Sequence, residues 1–304
     1  GLGLAEAAGP VELLERFQGH LLLAREPMAG RGLSSLPRAH AAGRRAHARH
    51  RGHPGEPPAP GGALREAWRA AGQPLNVSDR AQALEPPDGW RAGAVVLTAA
   101  EIDGVTDDGV ADLAGSAISL TTTTANGIGT ASPLDLDASG ALTVDSTTGN
   151  GNVTIDALTA LAVATINGGT GTVTLDALAT VDDDTATDTT TDITAATLVL
   201  TAVDGVGSTQ DLDLDVDNVS VTVAGTGASN SIVLQSNNTA ATTISQLRTN
   251  GADISFTHNT TSTVTVASVA GQEVWSGTGG NGGNISISAP NSTTVTLAGD
   301  VDSS

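Results

Sequence analysis

Residues 152–161 read "NVTIDALTAL" and residues 172–181 read "TVTLDALATV". The phrase recurs at an offset of 20 residues, with Val153, Ile155 and Asp156 answered by Val173, Leu175 and Asp176. A unit this short holds two or three short strands and cannot bury its own apolar face. Stacked on like neighbours, it buries a continuous one. Strands of successive units then lie about 4.8 Å apart and pair in parallel. The expectation is an all-β, right-handed parallel β-helix, a solenoid of roughly 20-residue turns, with Val153 against Val173 and Ile155 against Leu175.

The residues from about 95 to 304 support this reading. Short runs such as "LDLDA" at 134, "LTVDS" at 142, "VSVTVA" at 219 and "TVTLAG" at 294 alternate apolar with Thr, Asp or Ser, and Gly- and Asn-rich turns separate them. Period-two alternation marks strands with one buried face. Roughly ten such turns fit, a rod of about 50 Å. The rival is a pair of β-sandwich domains, since turn signals every 8–12 residues suit that fold as well. The internal echo favours the coil, because sandwich strands do not normally repeat one another.

A longer echo overlies the first. Gly127, Ile128 and Gly129 are answered by Gly205, Val206 and Gly207, and Leu134 and Asp135 by Leu212 and Asp213, at an offset of 78 residues. Val153 and Ile155 then match Ile232 and Leu234 at 79. The offset is close to four short units. If the longer repeat spans whole turns, Asp135 and Asp137 share a side of the rod with Asp213 and Asp215 and form a lengthwise acidic strip.

Composition divides the chain near residue 92. Twelve of the 13 basic residues precede it, all Arg, and the exception is Arg248; nine of the 33 acidic residues precede it and 24 follow. The first part therefore carries about +3 and the rest about −23, against a total of −20. Residues 1–91 read as an Arg/Ala/Pro-rich leader, poorly ordered and partly helical. Leu13, Leu14, Phe17 and Leu21 fall on one helical face, and Leu64, Ala67 and Trp68 repeat the pattern before Gly72. The six Arg between Arg31 and His53 suit an arm for an anionic surface, but no interleaved aromatics support nucleic-acid stacking. A solvated leader, or a stretch of non-native sequence, is the preferred account of them. The chain begins with Gly, as a piece of something longer would. It has no run of 18 apolar residues to span a bilayer as a helix and no Cys for disulfide or thiol chemistry.

The sharpest candidate for chemistry is "DLDLDVDN". Asp211, Asp213, Asp215 and Asp217 alternate with Leu212, Leu214 and Val216, so the four carboxylates are expected to face outward. They form a solvated face or a weak calcium site. Carboxylates along one extended strand stand about 7 Å apart, too open for a calcium cage. Asp182, Asp183 and Asp184 read the same way in a loop. The stretches "GGTGTVTLD" and "GGNGGNISI" resemble the calcium nonapeptide but fail it at Val173 and Asn284, where Asp is required. A hydrolase could use paired carboxylates such as Asp182 and Asp183, and a Ser-His-Asp site would rest on His258, the one His after residue 92. No His or basic residue stands near Asp182 and Asp183 in sequence, aromatic platforms for sugars are missing, and His258 alone is thin support for a triad. No catalytic or cofactor-binding residue is assigned.

"GIGTASPLDLDASGALTVDSTTGNGNVTI", with its echo from Gly205, resembles the repeats of filamentous-haemagglutinin-like adhesins. Those repeats use a Gly-Ile-Gly turn, a "PL-x-L" strand, an "L-x-V" strand and a Gly-Asn turn. The resemblance covers residues 95–304. It implies a β-helical stalk, extracellular or on the bacterial cell surface, exported by outer-membrane secretion machinery. Adhesion to glycans or proteins through the full-length protein, or a part in biofilm, would be its task. Residues 1–91 do not resemble the secretion domain of such proteins. The alternative is a carbohydrate-active β-helix, a polysaccharide hydrolase or lyase. A concave strip that gathers carboxylates beside an aromatic would distinguish it.

Overall fold

Alternation of apolar and polar residues has a direct structural outcome. In the strand Val153–Ala157, Val153, Ile155 and Ala157 are buried while Thr154 and Asp156 face outward, half-exposed. A computed structural model describes residues 11–17, 20–26, 75–78, 81–82, 92–105, 107–185, 190–268, 274–277, 282–291 and 294–303. From Ala92 onward the strands, apart from Ile102–Asp103, join one continuous, parallel-paired sheet that winds into a solenoid. Val153 pairs with Val173 and Ile155 with Leu175, as the 20-residue echo requires.

Each inward position becomes a column of apolar side chains. One column runs Ile102, Ile128, Val153, Val173, Leu198, Val219, Ile244, Val266 and Leu297. Its eight steps correspond to a rise of about 38 Å at ~4.8 Å per turn, so the coil has about eight turns rather than ten. The difference lies in turn length. From Val153 to Val173 a turn takes 20 residues, but from Val173 to Leu198 it takes 25 and from Val266 to Leu297 it takes 31. The surplus lies between the paired strands, as in the interval from Asp103 to Leu113.

The longer echo has an unexpected geometry. Leu134 belongs to a column with Ile155, Leu175, Leu200 and Val221, whereas Leu212 pairs with Leu234, Phe256 and Ile287 in turn. Equivalent residues therefore lie on two different walls, because residue 212 falls between Leu200 and Val221. The repeat spans more than three turns and fewer than four. Asp135 and Asp213 do not share a side, and the lengthwise acidic strip expected from a whole number of turns does not form. What the repeat preserves is the local build. Ile128 and Val206 are both core residues, each bridged to the turns on either side. Gly129 and Gly207 have φ of +64° and +61°, and a Cβ there would stand 2.0 and 2.1 Å from the carbonyl oxygens of Thr154 and Val233. Only glycine fits that approach.

The last turn is uncovered. Val295, Leu297 and Val301, whose equivalents below are buried, are 40%, 61% and 40% exposed because no further described turn stacks on them. Before the coil, Val11–Phe17 and His20–Glu26 form an antiparallel pair extended by Leu75–Ser78, and Ala81–Gln82 pairs in parallel with Ile102–Asp103. The helix expected over residues 11–21 is thus replaced by a strand pair. The second expected helix, at 64–72, and the Arg/His run lie outside the described residues. Among the described residues, no helix is long and apolar enough to cross a membrane.

Candidate functional site

Polar chemistry concentrates at two acidic stations, one in each copy of the longer repeat. Both begin with a pair of buried aspartates on adjacent turns. In the first, the Asp112 N–H donates to the Asp135 carbonyl (2.9 Å) and the Asp135 N–H donates to Asp112 Oδ2 (3.1 Å). In the second, the Asp192 N–H donates to the Asp213 carbonyl (2.8 Å) and the Asp213 N–H to Asp192 Oδ2 (2.7 Å). Here a carboxylate takes a main-chain donor that the strand ladder leaves over, which is why these acids tolerate burial. A second relation also recurs. The Ala131 N–H donates to Asp103 Oδ1 and the Thr209 N–H to Asp182 Oδ1, each at 3.1 Å. Asp182 and Asp183, the paired carboxylates of the sequence, both accept hydrogen bonds from loop backbone. Asp183 Oδ1 accepts the Thr185 N–H at 3.1 Å.

The outward placement expected for the whole Asp211–Asp217 series is corrected by the structure. Asp215 and Asp217 are exposed, Asp211 is half-buried, and Asp213 is only 2% exposed. Asp135 is likewise 1% exposed. Period two places an outward side chain beyond the strand, but solvent reaches it only where no other segment covers that face. Asp135 is covered by residues 107–109, and the N–H groups of Asp108 and Gly109 hydrogen-bond its carboxylate. A Cβ on Gly104 would meet the Pro133 carbonyl at 1.9 Å and Asp112 Oδ2 at 2.6 Å, so this glycine lets the loop close down.

Nor do the four acids of the second station converge. Three take side-chain amides from the next turn: Gln235 Nε2 donates to Asp211 Oδ2, Asn237 Nδ2 to Asp213 Oδ1 (2.7 Å), and Asn238 Nδ2 to Asp217 Oδ1 (3.0 Å). The first station lacks those amides. Asp135, Asp156 and Asp176 stack in register on three successive turns. Asp107 reaches in from the covering loop, and one carboxylate oxygen each from Asp107, Asp135 and Asp156 lies within 4.8 Å of the others. Burial, followed by the charge of Asp107, Asp176 and Asp135, pushes Asp156 up to about 6; burial does the same to Asp112. Asp135 is also raised, first by burial and then by Asp107. The station is hidden in the sequence because its carboxylates lie on successive turns and not along one strand. The usable signal was the Asp at the same place in both echoed phrases, Asp156 and Asp176.

His258 lies in the core, fully buried. Its Nδ1 is 3.0 Å from Ser236 Oγ, and its Nε2 is 2.7 Å from Ser262 Oγ and 2.9 Å from Thr260 Oγ1. Burial lowers its pKa. Hydroxyls occupy both ring nitrogens, an internal hydrogen-bonded plug where the column Leu120, Val144, Ile166, Ile193 and Leu214 turns polar at Ser236. Two open grooves mark the outer surface. The larger, about 470 Å³, is lined by Asp137, Thr159, Asp182, Asp183, Gln210 and small residues; the smaller, about 150 Å³, includes Asp215 and Asp217. Neither contains an aromatic. Phe256 is in the core and Trp275 lies under the Arg248 guanidinium at 4.6 Å. Compared with protein-family models, curated proteins and solved structures, the chain matches none.

Proposed function

We propose that the coil is a structural stalk segment of a secreted or cell-surface bacterial adhesin, non-catalytic in itself. The observation that carries the reading is the uninterrupted apolar column from Ile102 to Leu297 inside walls of Thr, Ser, Asn and Asp. A solenoid of this kind transmits position and load along its axis, because each turn is held by its two neighbours. The grooves fit that role better than carbohydrate cleavage. They gather carboxylates, but among the described residues no aromatic lines them. The resemblance to filamentous-haemagglutinin-like repeats points the same way, toward export by outer-membrane machinery and adhesion to glycans or proteins through the full-length protein.

Antiserum raised against residues 95–304 tests this. It should label intact, unpermeabilised producing cells or precipitate the protein from their medium, and coated beads should gain adhesion when they carry the full-length protein. Labelling confined to permeabilised cells would overturn the reading. So would release of reducing or unsaturated ends from a polysaccharide panel, which would favour the carbohydrate-active alternative.

A further inference from the structure

We propose that Asp107, Asp135 and Asp156 bind a calcium ion that pins the loop 104–111 to the wall of the coil. The site is independent of the stalk reading. Two observations converge on it. The three carboxylates present oxygens within 4.8 Å of one another. Asp135, 1% exposed, also keeps one oxygen, Oδ2, without any hydrogen-bond partner. A buried carboxylate oxygen left bare is costly and calls for an explanation.

The second station shows what an occupant must do. Asn237 and Leu158 are equivalent, since each donates its N–H to the Leu at the matching place, Leu214 or Leu136, at 2.8 Å. Asn237 supplies its Nδ2–H to Asp213, whereas Leu158 has no donor to give Asp135. Gln235 pairs with Asp213 in the register where Asp156 pairs with Asp135. Thus the first station has lost both amides, has gained a carboxylate, and has Asp107 leaning in from the loop. A cation restores what the amides provide: it coordinates the bare oxygen and offsets three negative charges together.

The chemistry selects calcium. All donors are hard oxygens, with no His or Cys, which disfavours zinc. Oxygens on one calcium ion, each about 2.3–2.6 Å from it, can be separated by nearly 5 Å, and its coordination is irregular enough to combine a loop carboxylate with two strand carboxylates. Magnesium requires tighter octahedral geometry at about 2.0–2.1 Å. The coordination also explains why an exposed Asp107 would be drawn toward two like charges.

The test is thermal melting of the full chain at pH 7.5 in EDTA, CaCl₂, MgCl₂ and NaCl at matched ionic strength, with calcium titrated calorimetrically. Calcium at about 100 times its Kd should raise Tm by roughly 5–10 °C, and magnesium by much less. Asp156→Gln, which installs the residue found in the second station, should remove the calcium increment while the chain still folds. Asp215→Asn should keep it. Equal melting in EDTA and CaCl₂ would overturn the proposal. A stabilisation on acidification with no calcium response would also overturn it, and would mean that the carboxylates share protons instead. So would an undiminished calcium increment in Asp156→Gln.

Discussion

The two acidic stations begin with the same buried aspartate pair and solve the problem of burial differently. At Asp192–Asp213 the next turn brings Gln235, Asn237 and Asn238, and three carboxylates are each met by an amide. At Asp112–Asp135 the next turn brings Asp156 and Leu158, and a loop brings Asp107. An amide ladder adds no charge and meets each carboxylate with a donor. A carboxylate ladder stores repulsion that protons or a cation relieve. One repeat can therefore carry a permanent rivet on one wall and a conditional one on the other. The change takes little more than two substitutions, at positions 156 and 158 relative to 235 and 237.

The comparison can be broken most forcefully at what both copies share. Gly129→Ala and Gly207→Ala each force a Cβ onto a carbonyl oxygen at a positive φ. Each should cost at least about 3 kcal/mol, seen as a fall in Tm on calorimetry. Similar losses at the two positions are expected if the two copies are equivalent builds on different walls.

A second effect separates the stations by pH. Asp112 and Asp156 are raised from 3.8 to about 6. The folded chain therefore holds protons that the unfolded chain has released between these values. Stability is fully present below about pH 4 and is lost as pH rises through 6. For the buried Asp112 the shift corresponds to at most about 3 kcal/mol at 1.36 kcal/mol per unit. Melts in EDTA from pH 4 to 7.5 should fall accordingly, and Asp156→Asn should flatten part of the slope. A slope of the opposite sign would show that the first station is not a store of repulsion.

Asn237→Leu turns the second station toward the first. It leaves Asp213 without its amide and should cost about 2 kcal/mol, read from urea midpoints. Gln235 and Asn238 remain, so calcium should restore none of the loss. The smallest effect is expected at Asp215. Exposed on the rim of the smaller groove, its change to Asn should alter stability by less than about 0.5 kcal/mol.

Much of this architecture was legible in residue order. The echo of Val153 and Ile155 in Val173 and Leu175 dictates parallel stacking, because a strand that cannot bury itself pairs with its copy. The Gly-Ile-Gly and Gly-Val-Gly phrases likewise announce backbone approaches that exclude a side chain. Residues 11–21 form strands and not the expected helix, since Leu13, Leu14 and Phe17 satisfy more than one periodicity and the pairing with His20–Glu26 decides between them. The acidic series at 211–217 was misjudged for a related reason. Alternation says which way a side chain leaves its strand, and nothing about what lies on top of it.

Tertiary structure decided the rest. The sequence by itself determined the repeating strand, its inward face and the glycines at its corners, because these depend on residues a few positions apart. Only the wound coil decided that the longer repeat stops between whole turns, and so placed Asp135 and Asp213 on different walls. That outcome depends on the summed lengths of the intervening corners, which vary from turn to turn. Only the coil, too, brought Asp107 over a gap of 28 residues to Asp135 and of 49 to Asp156. Neighbouring turns stand about 4.8 Å apart, closer than alternate residues along a strand. For that reason carboxylates separated by whole turns form the tighter cluster.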